Sequence, residues 1–334
     1  SENNVFIGRA AGASNRSGKE NVFLGNGAGQ SKTTGDNNIA IGKCANQCGA
    51  NALMIAIGLG AGRGQGSNNT CVSQCNIFLG PYAGYCITTG GCNVTMGVGA
   101  GCKMTTGGSN IALGQLAMGA GTVTGDNNIS MGTCAHKDLT SGDSNVILGN
   151  YAGGALTTAT DNIILGCYAA KNSISLCANI IMGPETGACL CNGSHNIAMG
   201  QYAMRGSSTV SANTAAGNVA LGQEALKVIS SGKDNVSIGK ESGKDLTTGE
   251  ENVFLGLSAG CRTTTGKANV FIGRNVGTAN EDGEFNVAIG CGALSGGGTG
   301  VKQCLNIAFG RMAGQYTTTG SKNFFAGNYA AKCN

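Results

Sequence analysis

The chain has 334 residues and a formal net charge of +4, with 11% charged residues, 60 Gly, two Pro and no Trp. It lacks the Lys/Arg runs that grip nucleic acid, and no apolar stretch approaches the ~18 residues of a membrane span. We therefore expect neither a nucleic-acid partner nor insertion into a membrane. The glycines lack the triplet period of collagen, which excludes a triple helix.

One five-residue pattern, Asn-[Val/Ile]-x-[Ile/Leu/Met]-Gly, recurs in nineteen copies from Gly8 to Gly327. Thirteen of the eighteen intervals between its closing glycines are 17 residues long. A short fixed period marks a stacked architecture, and β-branched residues two apart indicate a short strand. The sequence predicts an all-β fold, a β-solenoid (β-roll) of about 19 rungs with modal period 17. We expect one continuous domain over residues 1–334, rising about 4.8 Å per rung, or roughly 90 Å in all.

An asparagine stands four residues before the closing glycine in eighteen of the nineteen copies, and only Met54 interrupts the series. No catalytic role requires so many copies, whereas stacked amides hydrogen-bond along the axis of a solenoid. We interpret these residues as an asparagine ladder that closes the turn before each strand. Its members are Asn4, Asn21, Asn38, Asn76, Asn93, Asn110, Asn128, Asn145, Asn162, Asn179, Asn196, Asn218, Asn235, Asn252, Asn269, Asn286, Asn306 and Asn323.

The middle residue of each strand is apolar in sixteen copies. Because its two apolar neighbours share one face, we expect the middle residue to point away from the rung interior. A strand that is apolar on both faces is expected to be buried on both faces. An apolar stripe along the whole solenoid, left exposed to solvent, would be larger in area than the apolar patches of soluble monomers. The residues that bury this stripe belong either to a second copy of the chain or to the chain's own second segment. A second copy would form a parallel homotrimer or an end-to-end filament. The residues expected to face the other copy are Phe6, Phe23, Phe78, Ile147, Ile164, Ile181, Phe254, Phe271 and Phe325.

Three longer intervals predict loops, near residues 64–75, 206–217 and 295–303. Insertions in stacked folds gather on an accessible face, where they serve for binding or remain inert surface. The sequons at Asn15, Asn68 and Asn192 are candidate glycosylation sites if the source glycosylates.

Sixteen Cys is a high count that favours an extracellular, cell-surface or virion-surface location. Cys75 and Cys92 occupy the same position on adjacent rungs, and Cys86 and Cys102 are nearly in register. The separation of stacked Cα atoms is compatible with a disulfide in each pair.

No constellation of catalytic groups emerges from the chain. Its two histidines, His136 and His195, lie in turn regions without a triad partner. No C-x-x-C pair occurs, and no His lies beside the cysteines to complete a zinc site. We therefore expect no enzyme activity, no cofactor and no bound metal.

The run Asn-Val-Ala-Ile-Gly at 286–290, with Asn-Val-Ala-Leu-Gly at 218–222, resembles the head repeats of trimeric autotransporter adhesins. The run from Thr33 to Gly42 is similar to repeats of phage and large-virus fibre proteins. The resemblance implies an extracellular, trimeric, left-handed β-roll used for attachment. The period of 17 rather than about 14 and the abundant cysteine depart from that pattern.

The sequence favours a structural role: the subunit of an extracellular fibre or filament, on a virion or a cell surface, whose partner is itself. The alternative is an adhesin-like head that recognises a surface glycan or a protein receptor. An ice-binding solenoid is a weaker third hypothesis, because the Thr-Thr-Gly turns are missing from several repeats.

Overall fold

The computed structural model describes residues 2–48, 52–64, 73–207, 213–296, 302–317 and 320–331. Every repeat in these ranges forms one three-residue strand, and neighbouring strands pair in parallel. The described residues contain no helix. The predicted all-β solenoid is therefore confirmed. The strands are β1 (Val5–Ile7), β2 (Val22–Leu24), β3 (Ile39–Ile41), β4 (Ile55–Ile57), β5 (Ile77–Leu79), β6 (Val94–Met96), β7 (Ile111–Leu113), β8 (Ile129–Met131), β9 (Val146–Leu148), β10 (Ile163–Leu165), β11 (Ile180–Met182), β12 (Ile197–Met199), β13 (Val219–Leu221), β14 (Val236–Ile238), β15 (Val253–Leu255), β16 (Val270–Ile272), β17 (Val287–Ile289), β18 (Ile307–Phe309) and β19 (Phe324–Ala326).

The strands fall into two compact units, Ser1–Asn162 with β1–β9 and Ile163–Asn334 with β10–β19. The same rung architecture is found in each unit, and strands pair in exact sequence register. In β15 and β16, for example, Val253 pairs with Val270 and Phe254 with Phe271. Whether the units form one continuous domain stays a prediction.

The closing glycine ends each strand in a conformation that only glycine adopts readily. Its φ lies between +119° and +140° throughout the chain. A Cβ added to Gly256 would lie 2.5 Å from the carbonyl oxygen of Gly273 on the next rung. Because that neighbour is backbone, it cannot move aside. The recurrence of glycine here follows from the stacking of rungs within the chain.

The turn after the glycine also uses left-handed backbone at residues that are not glycine. Tyr202 has a φ of 60° and Leu226 a φ of 48°, two and four residues after their closing glycines. Such a conformation costs about 1–2 kcal/mol for an L-residue. Between these two positions lies a buried small residue, such as Ala203 or Ala225. Its size lets the chain fold back closely over the strand.

The middle strand residue points into the rung, not out of it, so the expectation that it faces another copy is wrong. Phe23, Phe78, Ile147, Ile164, Ile181, Phe254 and Phe271 are buried within the single chain. Phe6 and Phe325 are partly exposed, because they belong to the first and last rungs. A three-residue strand supplies only one inward side chain, and the narrow interior has room for no more. The flanking apolar residues therefore lie on the outside.

In many rungs the interior is filled by matching the middle strand residue to the residue four after the closing glycine. In five of the six rungs whose strand supplies a phenylalanine, the second position is glycine, and a Cβ on Gly277 would collide with the Phe271 ring. Where the strand supplies Ala220, the second position is the buried Leu226. Constant interior volume follows from close packing. The pairs with phenylalanine are Phe6/Gly12, Phe23/Gly29, Phe78/Gly84, Phe254/Gly260 and Phe271/Gly277, and the pairs with alanine include Ala112/Met118, Ala198/Met204, Ala220/Leu226 and Ala288/Leu294.

Replacing the Phe271/Gly277 pair by an alanine–leucine pair tests whether the two positions are matched in volume. Phe271→Ala alone leaves a cavity and should lower the free energy of unfolding by about 3–5 kcal/mol. Gly277→Leu alone overpacks the rung and should cost about 1–3 kcal/mol. The double variant reproduces the Ala288/Leu294 pair of the next rung, so its loss should fall short of the sum by about 2 kcal/mol. Denaturant unfolding of all four proteins measures the coupling, and strictly additive losses would contradict the matching.

Candidate functional surface

The asparagine ladder has the predicted position and a more specific geometry than stacking alone. The backbone N–H of Asn252 donates to the Oδ1 of Asn235 on the preceding rung at 3.0 Å, and its Nδ2 donates to the same oxygen at 2.9 Å. The same Nδ2 also donates to the carbonyl of Gly266 on the following rung at 2.8 Å. The Oδ1 of Asn252 accepts the equivalent pair of bonds from Asn269. Each amide thus joins three successive rungs.

The ladder is buried, so its hydrogen bonds cannot be replaced by water. Asn252 and its neighbours Asn235 and Asn269 have no exposed surface. A buried polar group left without its partner costs about 1–3 kcal/mol. At the one interruption, the backbone N–H of the buried Met54 still donates to Asn38 Oδ1 at 3.2 Å, and Asn46 Nδ2 lies 3.5 Å from the same oxygen. The side-chain amide of Asn46 thus replaces one of the hydrogen bonds that an asparagine at position 54 would donate to Asn38.

In each unit the first and third residues of the strands form an apolar surface, called here the outer face. All 38 positions carry Val, Ile, Leu, Met, Phe or Ala, without one charged or polar side chain. Sixteen of the large side chains among them are exposed by 36–67% in the single chain. They are Val5, Ile7, Val22, Leu24, Ile39, Ile57, Met96, Met131, Ile163, Ile197, Met199, Ile238, Ile289, Ile307, Phe309 and Phe324.

The four cysteines predicted to form disulfides are free thiols. Cys75 and Cys92 are exposed, and Cys86 and Cys102 are half-buried. In-register residues of parallel rungs hold their Cβ atoms about 4.8 Å apart on parallel bonds, beyond the ~3.8 Å that a disulfide prefers. Burial is the main cause that raises the pKa of the Cys86 thiol, with a contribution from Cys102. Neither predicted disulfide is present.

The two histidines lie in different environments. His195 is exposed and lies two residues before β12. His136 lies fully buried in the interior of its rung, with Nδ1 3.5 Å from the hydroxyl of Ser130. Burial lowers the pKa of His136 to about 3. His136 fills the position four after a closing glycine, opposite the small Ser130, so it acts as interior packing.

Hydroxyl groups of the Thr-Thr-Gly turns are used within the chain. The Thr88 hydroxyl donates to the carbonyl of Thr105 at 3.0 Å, and the Thr247 hydroxyl donates to that of Thr264 at 3.0 Å. The first threonine of these turns therefore binds the next rung, which leaves the second one exposed, as at Thr89. The ice-binding hypothesis stays untested.

The remaining predicted features lie partly outside the described residues. Residues 65–72, 208–212 and 297–301 of the three predicted loops lie outside the described residues, and so does Asn68. Asn192 is exposed, whereas Asn15 is half-buried and its amide closes a turn onto Gly18. Glycosylation at these positions stays a prediction. In the described ranges, no helix is long and apolar enough to cross a membrane, and no group of three or more His, Cys, Asp or Glu is placed to hold a metal ion.

Comparison with known proteins leaves the chain without a family. No protein-family model matches it, and a search of curated proteins found no match. The similarity to adhesin heads and viral fibres therefore rests on the repeat motif alone. The parallel solenoid and its asparagine ladder are the part of that expectation found in the structure.

Removal of one ladder amide tests its structural importance. Asn252→Ala leaves the N–H of Asn269 and the carbonyl of Gly266 without their buried partner, so the free energy of unfolding should fall by about 3–5 kcal/mol. The control is Asn150→Ala, at an exposed asparagine, with an expected change within about 0.5 kcal/mol. Denaturant unfolding measures both. Equal effects would contradict the ladder's role.

Because of His136, the free energy of unfolding of the protein should decrease at acidic pH. Its pKa of about 3 in the folded chain is lower than the ~6.5 of an unfolded histidine, so the unfolded state binds more protons below pH 6.5. Its contribution to stability is present above that pH and is lost as pH falls towards 3, by about 5 kcal/mol in total. His136→Met, which follows Met118 at the same position one rung earlier, should remove this slope. An unchanged pH profile would contradict the assignment.

Proposed function

We propose that this protein is a non-catalytic structural subunit that assembles with copies of itself through the outer face, as part of an extracellular fibre or filament. The exposed apolar outer face is the observation that carries this proposal. It repeats with every rung in both units, whereas no similarly repeated arrangement of chemically reactive groups occurs in the described residues.

The area of the outer face is sufficient for stable association. Its partly exposed side chains present on the order of 1,000 Å² in each unit, against about 800 Å² per partner in a standard interface. A typical soluble monomer has a largest apolar patch of only about 300–600 Å². The outer face of each unit exceeds that range. Leaving it in water would oppose the hydrophobic effect along every rung.

A second copy is the partner whose surface matches best. Its side chains repeat at the same rung spacing of about 4.8 Å, so two outer faces can interdigitate over every rung. The face itself has no charge, so burying it against another outer face leaves no unpaired ion. A parallel homotrimer and an end-to-end filament both use this contact. The extracellular location belongs to the same proposal and rests on the resemblance of the repeat motif to surface fibres.

The adhesin alternative is favoured by one separate observation, a polar cleft in the second unit. The cleft has a volume of about 240 Å³ and is lined by Tyr168, Lys171, Glu185 and Arg205, among others. Such side chains suit a polar ligand the size of a sugar. Glycan-array binding that is lost on Arg205→Ala would favour this function over a purely structural one.

Charge placed on the outer face should separate the copies. We expect the unaltered protein to sediment at micromolar concentration as a multiple of its 33.1 kDa chain. Met199→Lys with Ile238→Lys introduces two charges into the buried contact, and the protein should become a folded monomer. The control carries the same charges on exposed turns, as Thr106→Lys with Thr248→Lys, and should stay assembled. A monomeric unaltered protein would contradict the proposal.

A further inference from the structure

The outer face is bordered by two edges of different charge. One edge consists of the residues directly after the closing glycines, here called the glycine edge. It carries Arg9, Lys43, Lys240, Arg274 and Arg311, and no acidic residue. The other edge consists of the residues five and six before the closing glycines, here called the asparagine edge because it adjoins the ladder.

The asparagine edge is acidic in balance. Its acidic residues are Glu2, Glu20, Asp36, Asp126, Asp143, Asp161, Asp234, Glu250, Glu251 and Glu284, and its basic residues are Lys19, Lys233, Lys267 and Lys322. In the first unit the asparagine edge has a formal charge of −5 and the glycine edge +2, and in the second unit the two edges have −1 and +3. Some of these charges pair along their own edge, as Lys19 with Glu2 at 3.2 Å and Lys267 with Glu250 at 3.3 Å.

The two edges lie on opposite sides of the outer face, because the chain crosses the face once per rung from the asparagine edge to the glycine edge. All strands run in the same direction, so the sides do not exchange between rungs. The order across the face is therefore acidic edge, two apolar columns, basic edge. An apolar centre with a charged rim is the usual anatomy of a protein interface.

Because of this order, the charges of the two edges determine which orientation of a second copy is electrostatically favourable. When two outer faces meet with their solenoid axes parallel, rotation about that axis brings the glycine edge of one copy against the asparagine edge of the other. The same pairing arises around a threefold axis. When the axes are antiparallel, each edge meets its own kind, and like charges face each other along both borders. Like-charge juxtaposition disfavours a binding mode.

We propose that copies of this chain associate in parallel, with the basic glycine edge of each copy against the acidic asparagine edge of the next. The inference rests on the proposed self-assembly and adds its direction. The apolar columns supply the affinity, and the edges select the parallel arrangement over the antiparallel one. Such a parallel assembly points all its chains the same way, as a fibre with one distinct tip requires.

Zero-length cross-linking of the unaltered protein tests the direction. A carbodiimide joins an amine to a carboxylate only when they touch. In a mixture of isotope-labelled and unlabelled chains, parallel association should give intermolecular cross-links from Lys240 to Asp234 or Glu251, which lie at the opposite edge on the same or the next rung. An assembled protein that cross-links between chains only at unrelated rungs would overturn the proposal.

Charge exchange gives an independent test. Lys240→Glu with Arg274→Glu makes the glycine edge of the second unit acidic, and its self-association should weaken by at least about tenfold at low salt. Adding Asp234→Lys and Glu251→Lys in the same chain exchanges the two edges, which should restore association. At about 0.5 M salt the differences should largely vanish.

The outcomes separate the two proposals. If the unaltered protein is a monomer, self-assembly itself fails. If it assembles but the variants with two and with four substitutions associate equally well at low salt, self-assembly stands and the parallel direction is overturned. If the double variant mixed with the unaltered chain associates more strongly than the unaltered chain alone, like edges meet, and an antiparallel arrangement replaces the proposed one.

Discussion

Most asparagines of the buried ladder bond to the rung before them and to the rung after them, and the rest of the structure depends on this interaction. Asn252 binds Asn235 on one side and the Gly266 carbonyl on the other. A rung without neighbours would leave these groups unsatisfied in a buried position, which is costly. The chain therefore gains stability only by stacking, as expected of repeat proteins. The parallel register of the strands follows from the same contacts.

Stacking at the backbone spacing in turn decides what lies inside and what lies outside. The interior receives one side chain from each strand, and its volume is adjusted by the residue four after the closing glycine, as with Phe271 and Gly277. The other two strand residues must lie outside, whatever their chemistry. Because they are Val, Ile, Leu or Met in nearly every rung, the same geometry that completes the core produces the apolar outer face. The packing within the chain thus leaves an apolar surface exposed on the single copy.

Much of the fold could be predicted from periodicity, but the identity of the inner face could not. Alternation shows that Val253 and Leu255 share a face and that Phe254 lies on the other, yet it does not say which face is inward. The missed signal was the pairing of Phe254 with Gly260 and of Ala220 with Leu226, since only interior residues compensate for one another in volume. The left-handed conformation of Tyr202 had no such signal, because tyrosine has no preference for it. The free thiols of Cys75 and Cys92 show that a shared position in the repeat gives proximity without the bond geometry of a disulfide.

The central claim is that the outer face is covered in the native protein, and methionine oxidation tests it most directly. Met96, Met131 and Met199 lie on the outer face and are exposed in a single chain, whereas Met104, Met118 and Met204 are buried in the interior. Peroxide oxidises accessible methionines, and mass spectrometry measures the rate at each one. The account predicts that the outer-face methionines of the native protein react as slowly as the interior ones, and become reactive when the copies are separated. Fast oxidation of Met96, Met131 and Met199 in the native protein would contradict it.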